Sequence, residues 1–246
     1  WLHAAAVYTD PRAVVLFFLG FSAGVPIMLI FSSLSLWLSE AGVSRDMVTM
    51  FSWAALAYSF KFVWAPLIDS LPLPVLGRLG WRRSWLLLSQ VAVASAIVWM
   101  AMVDPAQPGA LAMMAAAAVL LGFSSATQDV VIDAYRIEVA GDDTAMQSVT
   151  SATYNAGYRV GMIVSGAGAL YAAETLGSKS GHYVYAAWQQ TYFLMAAVMA
   201  VGMATVLLMR EPEVAARADN RRSLADSLRL IVLFLGSVSA FAAMFS

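Results

Sequence analysis

Four ionisable residues stand inside apolar stretches of the sequence, where charge is costly and therefore informative. Lys61 lies in the second such stretch and Arg159 in the fifth, while Asp129 and Asp133 lie in the fourth. Ionisable side chains at such positions in a membrane protein pair with one another, line a water-filled cavity or carry protons. The two cationic residues could hold an anionic ligand, and a carboxyl group removed from water can exchange a proton near neutral pH. These residue types predict charge-dependent transport chemistry.

The two aspartates are one helical turn apart, so they share a face of the fourth stretch. With a rise of about 1.5 Å per residue, Lys61 and Asp129 each lie roughly 10 Å from the cytoplasmic end of their helices, at a depth where they can meet. Asp129 therefore either carries a proton or neutralises Lys61 as a structural partner. Asp133 lies nearer the inner interface, where pairing with Arg136 competes with a proton-carrying role.

The fifth stretch has two faces of different character. Polar residues recur every four positions on one face: Ser151, Asn155 and Arg159. Small residues recur in the same way on a different face, which predicts close helix packing: Gly157, Gly161, Ser165 and Ala169. Arg159 lies near the bilayer midplane, where transporters place substrate and coupling-ion sites. It is expected either to contact an anionic substrate or to pair with a carboxylate on another helix.

The elements that position these residues are apolar helices. The chain of 246 residues is 61% hydrophobic and 12% charged, whereas soluble domains carry about 25% charged residues. A membrane-spanning helix needs roughly 20 mostly apolar residues, and six stretches qualify: about 12–38, 47–66, 85–103, 109–135, 147–172 and 190–209. The sequence predicts an all-α membrane protein. The third and sixth stretches contain no ionisable residue and are expected to be the outer, lipid-facing helices.

The distribution of basic residues predicts the orientation in the membrane. With a cytoplasmic N-terminus, ten arginines lie on the inner side: Arg12, Arg78, Arg82, Arg83, Arg136, Arg210, Arg217, Arg221, Arg222 and Arg229. Only Arg45 and Lys179 lie on the outer side. The predicted organisation is a six-helix transmembrane unit over 1–209, a cytoplasmic linker over 210–226 and a truncated seventh helix over 227–246. We expect both ends of the chain to be internal to a longer protein.

Several classes of protein are disfavoured by composition. A net charge of -1 argues against a nucleic-acid partner, and without cysteine there are no thiolate metal ligands or disulfides. A membrane-embedded enzyme is disfavoured because His3 and His182 lie outside the apolar stretches. An aspartyl enzyme needs its two carboxylates on facing helices, whereas Asp129 and Asp133 share one. No catalytic residue, metal or cofactor is predicted.

A loop motif indicates a family. The sequence Ala-Pro-Leu-Ile-Asp at 65–69 is followed by Gly-Trp-Arg-Arg at 80–83. These segments resemble the motif that joins the second and third helices in the major facilitator superfamily. The resemblance implies that Asp69 and the nearby arginines form a conformational latch, comprising Arg82, Arg83 and Arg136. The alternative is ordinary positive charge on the cytoplasmic side.

Three longer segments carry a closer resemblance. They are Phe-Lys-Phe-Val-Trp-Ala-Pro-Leu-Ile-Asp at 60–69, Ser-Ala-Thr-Gln-Asp-Val-Val-Ile-Asp-Ala-Tyr-Arg at 125–136 and Gly-Tyr-Arg-Val-Gly-Met-Ile-Val-Ser-Gly at 157–166. They resemble the AmpG-type muropeptide permeases, and the similarity runs over about residues 8–213. A related Gln-Asp-x-x-x-Asp string occurs in acetyl-coenzyme A transporters.

The resemblance implies the N-terminal six-helix half of a secondary transporter in the bacterial inner membrane. It would import anhydromuropeptides into the cytoplasm by alternating access, driven by protons, together with a C-terminal half. In such a transporter, Asp129 and Asp133 are predicted to couple transport to protons. Substrate binding falls to a larger set: Lys61, Gln128, Asn155, Tyr158 and Arg159, with Tyr58 and Tyr154 against sugar rings. Alternatives are another substrate, such as acetyl-coenzyme A or a sugar or peptide, and a non-transporting sensor.

Overall fold

The computed structural model describes residues 7–51, 54, 56–70, 73, 76–212 and 232. Most of this part is helical, and its β-pairing is limited to an isolated bridge between Lys179 and His182. Most of the predicted linker over 210–226 and of the predicted seventh helix over 227–246 lies outside the described residues. The predicted all-α architecture is confirmed for the part that is described.

Eight helices are numbered here in chain order within the described residues. They are α1 (Pro11–Glu40), α2 (Arg45–Phe51), α3 (Leu56–Phe60), α4 (Ala65–Ser70), α5 (Trp81–Ala101), α6 (Ala110–Ala140), α7 (144–175) and α8 (Tyr185–Leu208). Helix α1 contains a π-helical turn at Leu29–Ser33, and α7 contains another at Val164–Gly168. By length and composition, α1, α5, α6 and α8 can each cross a membrane. Helix α7 is as long, but its polar stripe makes it less apolar.

The second predicted span differs from the expected single helix over 47–66. Its described residues form α2, α3, a 3₁₀ turn at Lys61–Val63 and then α4. Pro66 explains the last break, because it has no backbone N–H and its ring clashes with the carbonyl of the preceding turn in a continuous helix. Near the start of a new helix the same residue is tolerated. The break places Lys61 on a short turn beside α6.

Helices α1 and α7 lie in close contact along much of their length. A Cβ atom at Gly157 would overlap the backbone carbonyl of Phe17, and one at Gly20 would overlap that of Tyr154. Farther along, the Ser33 hydroxyl donates to the Ser165 carbonyl at 2.8 Å. The small-residue face predicted for α7 is therefore the face that packs on α1.

The remaining long helices complete a bundle with two apolar cores. Helix α5 packs on α6 and α8, and α8 also contacts α1. One core surrounds Trp37 and Trp188, whose rings stack at 5.7 Å, and the other contains Leu16, Ile132 and Tyr154. The outermost position predicted for the third and sixth spans, α5 and α8, concerns the complete transporter and stays a prediction.

Candidate functional site

Lys61 lies between the two aspartates of α6. Its Nζ is 3.5 Å from Oδ2 of Asp129 and 3.3 Å from Oδ2 of Asp133. The i, i+4 spacing puts both carboxylates on the face of α6 that meets the 3₁₀ turn. The side chain of Asp129 is 11% exposed, against 31% for Lys61 and 42% for Asp133. A single ammonium group is thus shared by one buried and one accessible carboxylate.

The second oxygen of each carboxylate is also occupied. The Tyr154 hydroxyl donates to Oδ1 of Asp129 at 3.3 Å, and Nη2 of Arg136 lies 3.3 Å from Oδ1 of Asp133. The Arg136 guanidinium lies over the Tyr154 ring, 5.6 Å from its centroid, within the range of a cation–π contact. These contacts close a loop through Lys61, Asp129, Asp133, Arg136 and Tyr154, which we call the charge ring.

Aromatic residues flank the charge ring. The Tyr158 ring lies 5.9 Å from that of Tyr154, and the Tyr58 hydroxyl donates to the Ser125 hydroxyl at 2.7 Å. Trp64 donates to Thr127 at 3.1 Å. Three aromatic residues are predicted to contact substrate. Tyr154 is buried and its hydroxyl binds Asp129, whereas Tyr58 and Tyr158 are partly exposed.

Gln128 occupies a different environment from the other predicted ligands. It is fully buried, and its Nε2 donates to the Ser22 hydroxyl at 2.9 Å. Gln90 on α5 donates to the same hydroxyl at 3.3 Å. The amide carbonyl oxygens of Gln90 and Gln128 have no hydrogen-bond partner within the described structure. In this conformation a substrate cannot touch Gln128 without separating α1, α5 and α6.

Asn155 and Arg159 lie on the exposed face of α7. Asn155 donates to the Ser151 carbonyl at 2.9 Å, within its own helix. Arg159 forms no ion pair with any residue that the structure describes. The polar stripe predicted for α7 therefore forms one open face of the bundle and is separate from the contacts of the charge ring.

The predicted latch is built around Arg82, at the first turn of α5. The guanidinium binds Asp69 at 2.6 Å and Glu138 at 2.6 Å, with two further contacts to Glu138 at 3.1 Å. Glu138 was not among the predicted latch residues, since a lone acid near a helix end carries no distinguishing spacing. Arg136, also predicted for the latch, pairs with Asp133. We call Asp69, Arg82 and Glu138 the arginine fork.

Glu211 is a further partner of Arg82, and the sequence alone does not predict it. Its carboxylate accepts the backbone N–H groups of Arg82 at 2.7 Å and of Arg83 at 3.1 Å, which caps the start of α5. In return, the Arg83 side chain donates to the carbonyls of Val206 and Leu207 at the end of α8. These reciprocal bonds join the start of α5 to the end of the antiparallel helix α8.

The side chains described at these sites offer charge pairs, hydroxyls, amides and aromatic faces for binding. Within the described ranges, no group of three or more His, Cys, Asp or Glu residues is arranged to hold a metal ion. The charge ring combines two carboxylates with a partly exposed ammonium group. The arginine fork lies at helix ends and is suited to holding those ends together.

Comparisons with known proteins agree with this architecture. The family model of the Major Facilitator Superfamily matches residues 13–246. The chain is 35% identical over 231 residues to "Putative transporter AmpG 4" of Rickettsia conorii, covering 94% of the chain and 53% of that protein. It is also 35% identical over 206 residues to the "Anhydromuropeptide permease" of Escherichia coli K12, covering 84% of the chain and 39% of that protein.

A further relative, an uncharacterised protein of Haemophilus influenzae, is 31% identical over 211 residues, which are 85% of the chain and 46% of that protein. The chain thus spans about half the length of the curated relatives it matches, or somewhat less. Apolar helices of membrane-spanning length, the family match and these relatives agree with one another. On this evidence the chain belongs to the Major Facilitator Superfamily of membrane transporters.

Proposed function

We propose that this chain forms the N-terminal half of a proton-driven permease that imports anhydromuropeptides from the periplasm to the cytoplasm. The similarity to a named anhydromuropeptide permease supports the substrate class. The observation that carries the proposal is the charge ring, in which a buried and an accessible carboxylate share one lysine inside a bundle of apolar helices. Such a group can respond both to protons and to an anionic ligand.

In this proposal, side chains of the protein match the carboxylates, the sugar and amide groups and the sugar rings of the ligand. Carboxylates of the peptide would bind Lys61 or, at the open face of α7, Arg159. Sugar and amide groups would bind Asn155 and Tyr158, and sugar rings would pack on Tyr58. Gln128 would take part only in a conformation that opens the helix contacts around it. Asp129 and Asp133 would carry the proton.

Alternating access would require a second half of similar size, and the two halves would move around the bound substrate. Asp69, Arg82 and Arg83 would act as the latch at the inner ends of the helices. The distribution of arginines supports a cytoplasmic N-terminus in the bacterial inner membrane. The bilayer, protons and the second half of the transporter are then the partners of this chain.

The test is uptake of labelled anhydromuropeptide by cells that express the full-length protein, with and without a protonophore. Wild-type uptake should fall to background with the protonophore. Asp129→Asn should abolish accumulation, whereas Asp142→Asn, on the exposed loop before α7, serves as the matched control and should not. A well-folded wild-type protein that takes up none of the label would exclude this substrate.

A further inference from the structure

The charge ring differs from a simple ion pair because two carboxylates share one ammonium group. The two distances from Lys61 Nζ differ by only 0.2 Å, being 3.5 Å to Asp129 and 3.3 Å to Asp133. Neither carboxylate therefore has the lysine to itself. A small change in the charge of either acid would shift the lysine toward the other.

The charges of the ring explain why one added proton matters. Lys61 and Arg136 supply two positive charges, and Asp129 and Asp133 supply two negative ones, so the ring is neutral when both acids are ionised. A proton on either acid leaves one net positive charge. In a setting that water reaches only in part, an unbalanced charge favours the binding of an anion.

The contacts also indicate which acid takes the proton. Asp133 has two cationic partners, Lys61 and Arg136, and is the more exposed acid. Asp129 has a share of Lys61 and a neutral phenol, and is the more buried acid. Among the described contacts, Lys61 is the cationic partner of Asp129, whereas Asp133 also has Arg136, so a proton on Asp129 is the one that frees Lys61.

The groups that face Asp129 come from three elements. They are Asp133 on α6, Lys61 and Tyr58 on the second span, and Tyr154 and Tyr158 on α7, with Arg136 acting through Asp133. Tyr154 donates to Oδ1 of Asp129, while Lys61 faces Oδ2. A proton bound at Oδ2 would meet the N–H groups of Lys61. Since two donors cannot share that contact, the ammonium group must move away.

We propose that a proton on Asp129 releases Lys61 to bind a carboxylate of the substrate, so that the ring takes up one proton and one carboxylate together. This inference rests on the proposed function and specifies the ligand group as a singly charged carboxylate. An O–H bond forms on Asp129, while Lys61 keeps all its hydrogens and exchanges one carboxylate partner for another. Loss of the proton on the cytoplasmic side returns Lys61 to Asp129 and expels the anion. Tyr154 is a positioning residue, because it holds the carboxyl group of Asp129 in place.

The test measures binding to the purified full-length protein as a function of pH. The probes are labelled anhydromuropeptide with free carboxylates and the same molecule with its carboxylates amidated. For the wild type, Kd of the free acid should rise up to about tenfold per pH unit once Asp129 is ionised, as expected when one proton is bound with the ligand. Kd of the amidated probe should change with pH by less than a factor of about 2, because no carboxylate then competes with Asp129 for Lys61.

Three variants separate the roles. Asp129→Asn should bind the free acid with a Kd that no longer depends on pH, and should keep exchange across the membrane while losing accumulation. Lys61→Gln should lose the preference for the free acid over the amidated probe, whereas Lys179→Gln on the exposed outer loop is the matched control and should keep it. Tyr154→Phe removes one donor to ionised Asp129, so the midpoint of the pH dependence should move to higher pH.

A pH slope that persists in Asp129→Asn, or an unchanged probe preference in Lys61→Gln, overturns the inference. If Asp129→Asn does not fold, an unmoved midpoint in Tyr154→Phe overturns it instead. Protonophore-sensitive wild-type uptake combined with a pH-independent Kd would leave the proposed function standing and remove only the exchange at Lys61. Absence of any wild-type binding would remove both.

Discussion

The charge ring and the arginine fork use similar residue types to different effect. In the arginine fork, one guanidinium binds Asp69 and Glu138 at 2.6 Å each, and the Arg82 side chain is only 6% exposed. In the charge ring, one ammonium binds two aspartates at 3.3 Å and 3.5 Å. Both consist of a cation between two acids. The distances from the cation to the acids are short in the fork and longer in the ring.

The difference follows from the cations themselves. A guanidinium presents five N–H donors in a rigid plane, so Arg82 can satisfy two carboxylates at once with fixed geometry. An ammonium group is a compact point charge on a flexible stem, so Lys61 can move between partners at little cost. The surroundings add to this contrast, because Arg82 lies within the first turn of a long helix while Lys61 lies on a short 3₁₀ turn. The fork is suited to fixing helix ends and the ring to exchanging a partner.

The largest expected effect comes from breaking the arginine fork. Arg82→Gln removes the guanidinium that binds Glu138 at 2.6 Å in a setting where the two side chains are 6% and 15% exposed. Removing one member of a buried ion pair costs about 3–5 kcal/mol, and we expect a loss of that size in the free energy of unfolding in detergent. The control is Arg78→Gln, at an exposed position nearby, with an expected change within about 0.5 kcal/mol. Equal losses in the two variants would mean that the fork does not stabilise the helix ends that it joins.

A smaller effect is expected from removing the cation of the charge ring. Lys61→Gln leaves two carboxylates facing each other and should cost about 1–3 kcal/mol of unfolding free energy. Adding Asp129→Asn removes one of those charges, so the double variant should be more stable than Lys61→Gln alone. Unfolding of the wild type, both single variants and the double variant gives the coupling energy directly. Strictly additive losses would mean that Lys61 and Asp129 do not interact.

The sequence predicts the ring better than the fork for a physical reason. A helical repeat of four residues places Asp129 and Asp133 on one face wherever the helix lies, and a buried acid needs a cation at similar depth. Lys61 and Asp129 are the candidates at that depth. The choice of Glu138 for Arg82, and of Glu211 for the start of α5, depends on how distant helix ends meet. No local spacing specifies that.

Local spacing also does not specify the course of the second span or the environment of Gln128. Its apolar composition predicts a helix over 47–66, but the break near Lys61 depends on Pro66 and on contacts with α6. Likewise, Gln128 and Asp129 are adjacent in sequence, so they point about 100° apart around α6. One faces Ser22 inside the bundle and the other faces Lys61. Composition and periodicity predict which segments are helices, and packing decides which face of each is accessible.

The substitution Lys61→Arg gives the charge ring the same kind of cation that the arginine fork has. In Lys61→Arg, a planar guanidinium can bind Asp129 and Asp133 at the same time, which should raise the unfolding free energy by about 1 kcal/mol. The same rigidity should oppose release of the cation, so accumulation of labelled anhydromuropeptide should fall although the protein is more stable. Unfolding and uptake are measured on the same preparation. A variant that transports as well as the wild type would show that the flexible point charge of lysine is not required.

The smallest effect concerns an exposed pair that serves as a reference for both networks. Asp10 accepts hydrogen bonds from the Arg12 side chain and backbone at the start of α1, and these bonds lower the pKa of the Asp10 carboxyl group. Because the folded pKa is below the ordinary value of about 3.9, the contribution is present above that pH and is lost as the pH falls through the folded pKa. For a surface pair, Asp10→Asn should cost about 0.2–1 kcal/mol at pH 7.

The pH dependence separates charge from capping in this pair. Asparagine keeps an oxygen that can accept the N–H of Arg12, so Asp10→Asn removes the charge and preserves the cap. The difference in unfolding free energy between wild type and variant should therefore decrease as the pH falls through the lowered pKa of Asp10, and it should shrink in high salt. A difference that stays constant with pH would assign the whole effect to the cap. Short distance alone would then be a poor measure of ionic stabilisation in this chain, and the fork and the ring would have to be ranked by burial instead.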